Sequence, residues 1–273
     1  LSPGFLPPEP AGWAEAAEAA LCEDIGWGDV TAPAVGNAEC RWELEAQADG
    51  VLCGAGIAGW LLGATPQATD GGQVGPGTTV IQGSSPAAWL LSRERTALNF
   101  LMLLSGTASL TAAFVRAVAH TRCKVVDTRK TVPGLRSLQK YAVRCGGGTN
   151  HRFGLSDGVL VKDNHIAAAG SIAEAVRRVR EARFGIRVEV ECATPAMVDE
   201  ALSLGVDLVM LDNMGLDEMA AVVSEHRGAA QFEASGGVSL DTVAAVAETG
   251  VDFVSVGALT HSAPALPFHL EVR

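Results

Sequence analysis

Residues 187–257 read RVEVECATPAMVDEALSLGVDLVMLDNMGLDEMAAVVSEHRGAAQFEASGGVSLDTVAAVAETGVDFVSVG. Four short runs rich in β-branched and apolar residues, 187–191, 208–212, 232–235 and 253–256, begin 21, 24 and 21 residues apart. Each interval holds one strand and one helical pattern, the length of a βα unit. Two similar runs, 124–127 and 159–162, come before them. Repeated right-handed βα units either close into a barrel or spread into an open parallel sheet. Each run leads into a polar residue or glycine: Asp127, Lys162, Glu191, Asp212, Ser235 and Gly257. Parallel strands present their C-terminal ends on one face, so six such endings converge on one mouth, where barrels keep their chemistry. This pattern favours the barrel.

Moving outward, the first hundred residues differ. Residues 11–24 keep a helical apolar spacing, 41–51 alternate weakly as an antiparallel strand does, and glycine pairs punctuate the turns around 71–86. A domain boundary is expected near residue 105, giving an N-terminal domain over 1–105 and a barrel over 106–263, with 264–273 returning to the first domain. Residues 96–115 carry no charge, yet Asn99, Ser105, Gly106, Thr107, Ser109 and Thr111 interrupt them. They read as two buried helices broken at Ser105-Gly106 rather than as a membrane span.

With 273 residues, 48% hydrophobic and 19% charged, the chain is long enough for a large core and is neither a disordered polymer nor a disulfide scaffold. A net charge of −11 argues against nucleic-acid and anionic-membrane partners. Six cysteines without a C-x-x-C pair read as thiols in a reducing compartment, the cytoplasm.

Against that acidic background, residues 122–162 hold nine basic and two acidic residues, a local +7. Arg129, Lys130, Arg152 and Lys162 fall at or just beyond strand ends, which points to an anionic ligand rather than a solvated helix face. Arginine forks suit carboxylate and phosphate oxygens, and lysine adds a compact point charge. Ser235-Gly236-Gly237 and Gly257-Ala258-Leu259-Thr260-His261 follow the last two strands and read as a phosphate cradle, glycines letting backbone N–H groups approach and a following helix start adding its dipole. Glu191 and Asp212 have two readings: ion pairs with Lys162 or Arg129, or a Mg²⁺ site shared with substrate phosphates.

Several longer motifs carry a resemblance. Glu94-Arg95-Thr96-Ala97-Leu98-Asn99, Asp127-Thr128-Arg129-Lys130-Thr131-Val132-Pro133-Gly134-Leu135-Arg136, Gly147-Gly148-Thr149-Asn150-His151-Arg152, Lys162-Asp163-Asn164-His165, Glu189-Val190-Glu191, Leu211-Asp212-Asn213 and the two glycine loops occur in one order. Over residues 11–270 the chain resembles the quinolinate phosphoribosyltransferase family, the carboxylating nicotinate-nucleotide pyrophosphorylases. The resemblance implies an α/β fold: an incomplete parallel α/β barrel of six to seven strands with an N-terminal α/β sandwich domain. It implies a cytoplasmic enzyme of NAD biosynthesis that joins quinolinate to phosphoribosyl pyrophosphate with loss of CO₂ and pyrophosphate. Arg129, His151, Arg152 and Lys162 would then hold the quinolinate carboxylates, with Arg95 supplied by a neighbouring subunit of a homodimer or higher assembly. Lys130 and Lys162 would meet the pyrophosphate-bearing donor. Glu191 and Asp212 would face the ribose hydroxyls and Mg²⁺, and Ser235, Gly236, Gly237, Gly257 and His261 the 5-phosphate. Lys130, Lys162, Glu191 and Asp212 are the catalytic candidates. His151 and His165 remain either proton-handling groups or hydrogen-bonding spacers. Alternatives are a nicotinate or nicotinamide phosphoribosyltransferase, the molybdenum-transport-associated paralogue of the family, and an idle barrel that binds an anionic metabolite.

Overall fold

The computed structural model describes residues 12–182 and 185–273; residue 11, where the sequence begins its first helix, lies outside them. In chain order the strands are β1 (Glu39–Ala46), β2 (Gly50–Val51), β3 (Gln73–Val74), β4 (Thr79–Pro86), β5 (Lys124–Val126), β6 (Val159–Val161), β7 (Val188–Cys192), β8 (Leu208–Asp212), β9 (Gln231–Ser235), β10 (Phe253–Ser255) and β11 (Phe268–Val272). Two compact units result. The first takes in the chain up to Ala112 together with Lys130–Gly148 and Ala258–Arg273, and the second comprises Ala113–Arg129 and Thr149–Gly257.

The first unit carries an antiparallel sheet ordered β11-β1-β4 and a small β2-β3 pair. In β1 the alternation of Trp42, Leu44 and Ala46 buries one face, as a half-covered antiparallel strand requires. They share a core with Leu61, Leu62, Ile81, Leu98, Leu101 and Leu104. The helix Ala55–Leu62 begins where the buried Asp70 carboxylate accepts the Gly54 and Ala55 N–H groups at 3.0 and 2.9 Å.

The expected break at Ser105-Gly106 is absent: one 31-residue helix, Ala87–Ala117, runs through it. The polar residues that look like interruptions serve neighbours instead. Ser105 Oγ accepts from Cys53 N at 2.9 Å and donates to Cys53 O at 3.1 Å, and Ser109 Oγ accepts from Val51 N at 2.8 Å. Gly106 is where the chain at Pro264 crosses, and a Cβ there would sit 2.2 Å from the Pro264 carbonyl oxygen. By length and composition this helix could cross a membrane, but most of it is buried inside the protein, as in a core helix.

The second unit is a six-stranded parallel sheet ordered β5-β10-β9-β8-β7-β6, with helices between successive strands from β6 to β10. Thr149 bridges Val126 in parallel beyond β5, and the sheet stays open between that edge and β6. This is the incomplete barrel expected. Val190, Val209, Leu211, Phe232, Ala234 and Val254 alternate onto the buried, apolar face. The opposite parity carries polar residues, and strand register aligns Glu191, Met210 and Glu233 in one row.

Candidate active site

At the end of β5 the fully buried Asp127 clamps the next polar segment. Its carboxylate accepts from Asn150 Nδ2 at 2.6 Å and from the His151 N–H at 2.9 Å. Arg152 follows, with Nη1 donating to Gly158 O at 3.1 Å. Burial lowers the proton affinity of this guanidinium, and the neighbouring Arg129 charge lowers it further. The two like charges oppose each other, so the pair is suited to a multiply charged anion that relieves the repulsion.

His151 lies over two buried carboxylates. Its Nε2 is 3.0 Å from Glu189 and 3.3 Å from Glu233, while its Nδ1 accepts the Arg152 N–H at 2.8 Å. Burial opposes a charged ring, whereas the two carboxylates favour one. Burial also raises Glu189. The contact at Nδ1 decides for the neutral ring. Because the Nδ1 lone pair is taken by the Arg152 N–H, the ring's proton sits on Nε2, facing the carboxylates.

Lys162 ends β6 and forms an ion pair with Glu191 at the end of β7. Its backbone N–H donates to His165 Nδ1 at 3.0 Å, so His165 caps the helix Asp163–Ala169 from within. His151 and His165 thus each accept a backbone N–H through Nδ1. Asp212 accepts from Asn213 Nδ2 at 2.9 Å, and the Asn213 N–H donates to Ser235 O at 2.9 Å. Asn213 adopts a left-handed conformation, φ 54°. Gly236 packs on it with φ 104°, where a Cβ would fall 2.1 Å from Asn213 Oδ1. Only glycine fits that approach. Glu191 and Asp212 supply hard oxygen donors on adjacent strands, a donor set that fits Mg²⁺.

Arg129, His151, Arg152, Lys162, Glu191, Asp212, Ser235, Gly236, Gly237 and Gly257 all fall in the second unit. Most follow or end its strands, but His151 and Arg152 lie between the helix Arg136–Cys145 and β6, so Arg152 does not stand at a strand end as the sequence suggested. Arg95, Lys130 and His261 fall in the first. Arg95 is exposed on the long helix. The Lys130 carbonyl accepts from Thr260 Oγ1 at 2.7 Å, and His261 Nδ1 lies 2.6 Å from Ser262 Oγ.

One expectation about the phosphate loops needs correction. The helix after Gly236-Gly237 begins only at Val243, so no helix start abuts that loop; Gly257 leads directly into a short helix, Ala258–His261. Asp127, Glu189 and Glu233 were not among the expected site residues. Their signal was the two-residue alternation of Glu189 with Glu191 and of Glu233 with Ser235, which puts each pair on one face of its strand.

Comparisons with known proteins agree in direction. The family model for the N-terminal domain of quinolinate phosphoribosyl transferase matches residues 29–105, and that for its C-terminal domain matches 107–271. A probable nicotinate-nucleotide pyrophosphorylase [carboxylating] of Bacillus subtilis is 42% identical over 259 residues, covering 92% of this chain and 90% of its own. The nicotinate-nucleotide pyrophosphorylase [carboxylating] of Rattus norvegicus is 38% identical, covering 98% and 93%. A solved nicotinate-nucleotide pyrophosphorylase from Ehrlichia chaffeensis is 37% identical with a TM-score of 0.93, covering 96% of this chain and 98% of its own.

Proposed function

Since the chain belongs to the quinolinate phosphoribosyltransferase family, we propose that its second unit binds quinolinate through Arg129, Arg152 and Lys162 and performs phosphoribosyl transfer at the adjoining strand ends. The enzyme converts quinolinate and phosphoribosyl pyrophosphate to nicotinate mononucleotide in NAD biosynthesis. The product keeps one of two ring carboxylates and one of three phosphates, so atom balance requires release of CO₂ and pyrophosphate. The observation that carries the site assignment is the half-exposed Lys162 side chain, paired with Glu191 at the ends of neighbouring parallel strands of the second unit.

The ring nitrogen, positioned by those contacts, attacks the anomeric carbon of the ribose as pyrophosphate departs. Lys162 exchanges its Glu191 partner for substrate oxygen. Glu191 and Asp212 face the ribose and would hold Mg²⁺, which when bound would neutralise the pyrophosphate. The backbone at Gly236, Gly237 and Gly257, with Ser235, receives the 5-phosphate. No nucleophilic side chain is required; orientation and electrostatics carry the acceleration. The resulting pyridinium draws electrons from the 2-carboxylate bond as CO₂ leaves. The working assembly is a cytoplasmic homodimer in which Arg95 reaches a neighbouring copy's site.

The test is to incubate the chain with Mg²⁺, phosphoribosyl pyrophosphate and quinolinate, following CO₂ and pyrophosphate. Stoichiometric release of both is expected. Pyrophosphate released with nicotinate but not quinolinate would favour the non-carboxylating alternative, and neither product would favour an idle barrel. For the shared site, mixing Arg95→Ala and Arg152→Ala chains should restore activity; heterodimers without restored activity would refute sharing.

A further inference from the structure

We propose that Glu189 and Glu233 are positioning residues for quinolinate: by holding the His151 ring from inside the barrel they fix the His151–Arg152 link, so that Arg152 is presented beside Arg129. This rests on the quinolinate reading above. Glu189 is 5% and Glu233 1% exposed, in strands β7 and β9. Two buried carboxylates so placed repel each other and lose hydration, and apolar residues of similar size would make a more stable barrel floor. Their geometry supplies a reason for their presence.

Both aim at one atom, His151 Nε2, at 3.0 and 3.3 Å. The other ring nitrogen takes the Arg152 N–H at 2.8 Å, and the His151 N–H is held by Asp127 at 2.9 Å. The peptide carrying Arg152 is thus tied at both ends, through a side chain whose other ring nitrogen lies against the two carboxylates. Glu189 also attracts the Arg152 guanidinium, offsetting repulsion from Arg129 before substrate arrives. The floor of the barrel therefore preassembles two cations that would otherwise splay apart.

The test uses the full chain and the variants Glu189→Gln and Glu233→Gln, which keep size and a hydrogen-bond acceptor but remove charge. Quinolinate binding is measured by calorimetry without the phosphoribosyl donor, alongside KM for each substrate, kcat and the thermal midpoint. KM and Kd for quinolinate should rise by about ten- to a hundredfold, the size of one lost charged hydrogen bond, with KM for the donor and kcat changing by less than about threefold. Unchanged quinolinate affinity in folded variants overturns the proposal, as does a parallel rise of both KM values with a lowered midpoint, the mark of a merely structural role. Independently of any carboxylate variant, ¹⁵N NMR of the wild-type chain, with His151 assigned through His151→Gln, should show Nε2 protonated and Nδ1 bare; a proton on Nδ1 overturns the arrangement. Wild-type chain that binds no quinolinate defeats the substrate reading itself, whereas wild-type binding with indifferent variants defeats only the positioning role.

Discussion

Lys162 and Glu191, at the ends of neighbouring parallel strands, form an ion pair in which the ammonium-bearing side chain is 42% exposed and the carboxylate side chain 14%. The cation is open to ligand while its partner lies deeper. The pair is a resting arrangement that an incoming anion can replace.

Substitution Lys162→Met should lower kcat/KM by at least about 30-fold, since loss of a desolvated charged contact costs about 2–5 kcal/mol. Lys162→Arg should not restore the rate, because a planar fork does not reproduce a compact point charge. Steady-state kinetics at low quinolinate decides this, and an arginine variant of full activity would contradict it.

Arg129→Ala and Arg152→Ala should each weaken quinolinate binding by about 2–5 kcal/mol. Because the two charges oppose each other in the free protein, the double variant should lose less than the sum of the singles. A double-mutant cycle by calorimetry measures this coupling, and strict additivity would refute it.

Gly106→Ala should destabilise the first unit by about 1–3 kcal/mol or more, through overpacking against the Pro264 carbonyl 2.2 Å from the added carbon. An ordinary exposed helical glycine would instead gain stability from alanine. Thermal unfolding distinguishes the two directions.

What the sequence by itself determined is the series of βα units and the chemistry at their ends. The six predicted strands match β5 to β10 within a residue at either end, because strand alternation and helix periodicity are local properties that neighbouring residues specify. The cations at Arg129 and Lys162 were legible for the same reason, each standing at the end of such a run or just past it, whereas Arg152 lies between the helix Arg136–Cys145 and β6. Tertiary structure alone decided which partner each charge meets. Glu191 and Glu189 lie two residues apart on one strand, yet one meets Lys162 and the other His151, and Glu233 joins that histidine from 82 positions along the chain. The continuity of the long helix through Ser105-Gly106 was hidden in the same way, since its cause is the crossing of the distant chain at Pro264. Periodicity acts over one or two turns of chain, whereas charge pairing and close backbone approach depend on distances in space that only the folded chain establishes.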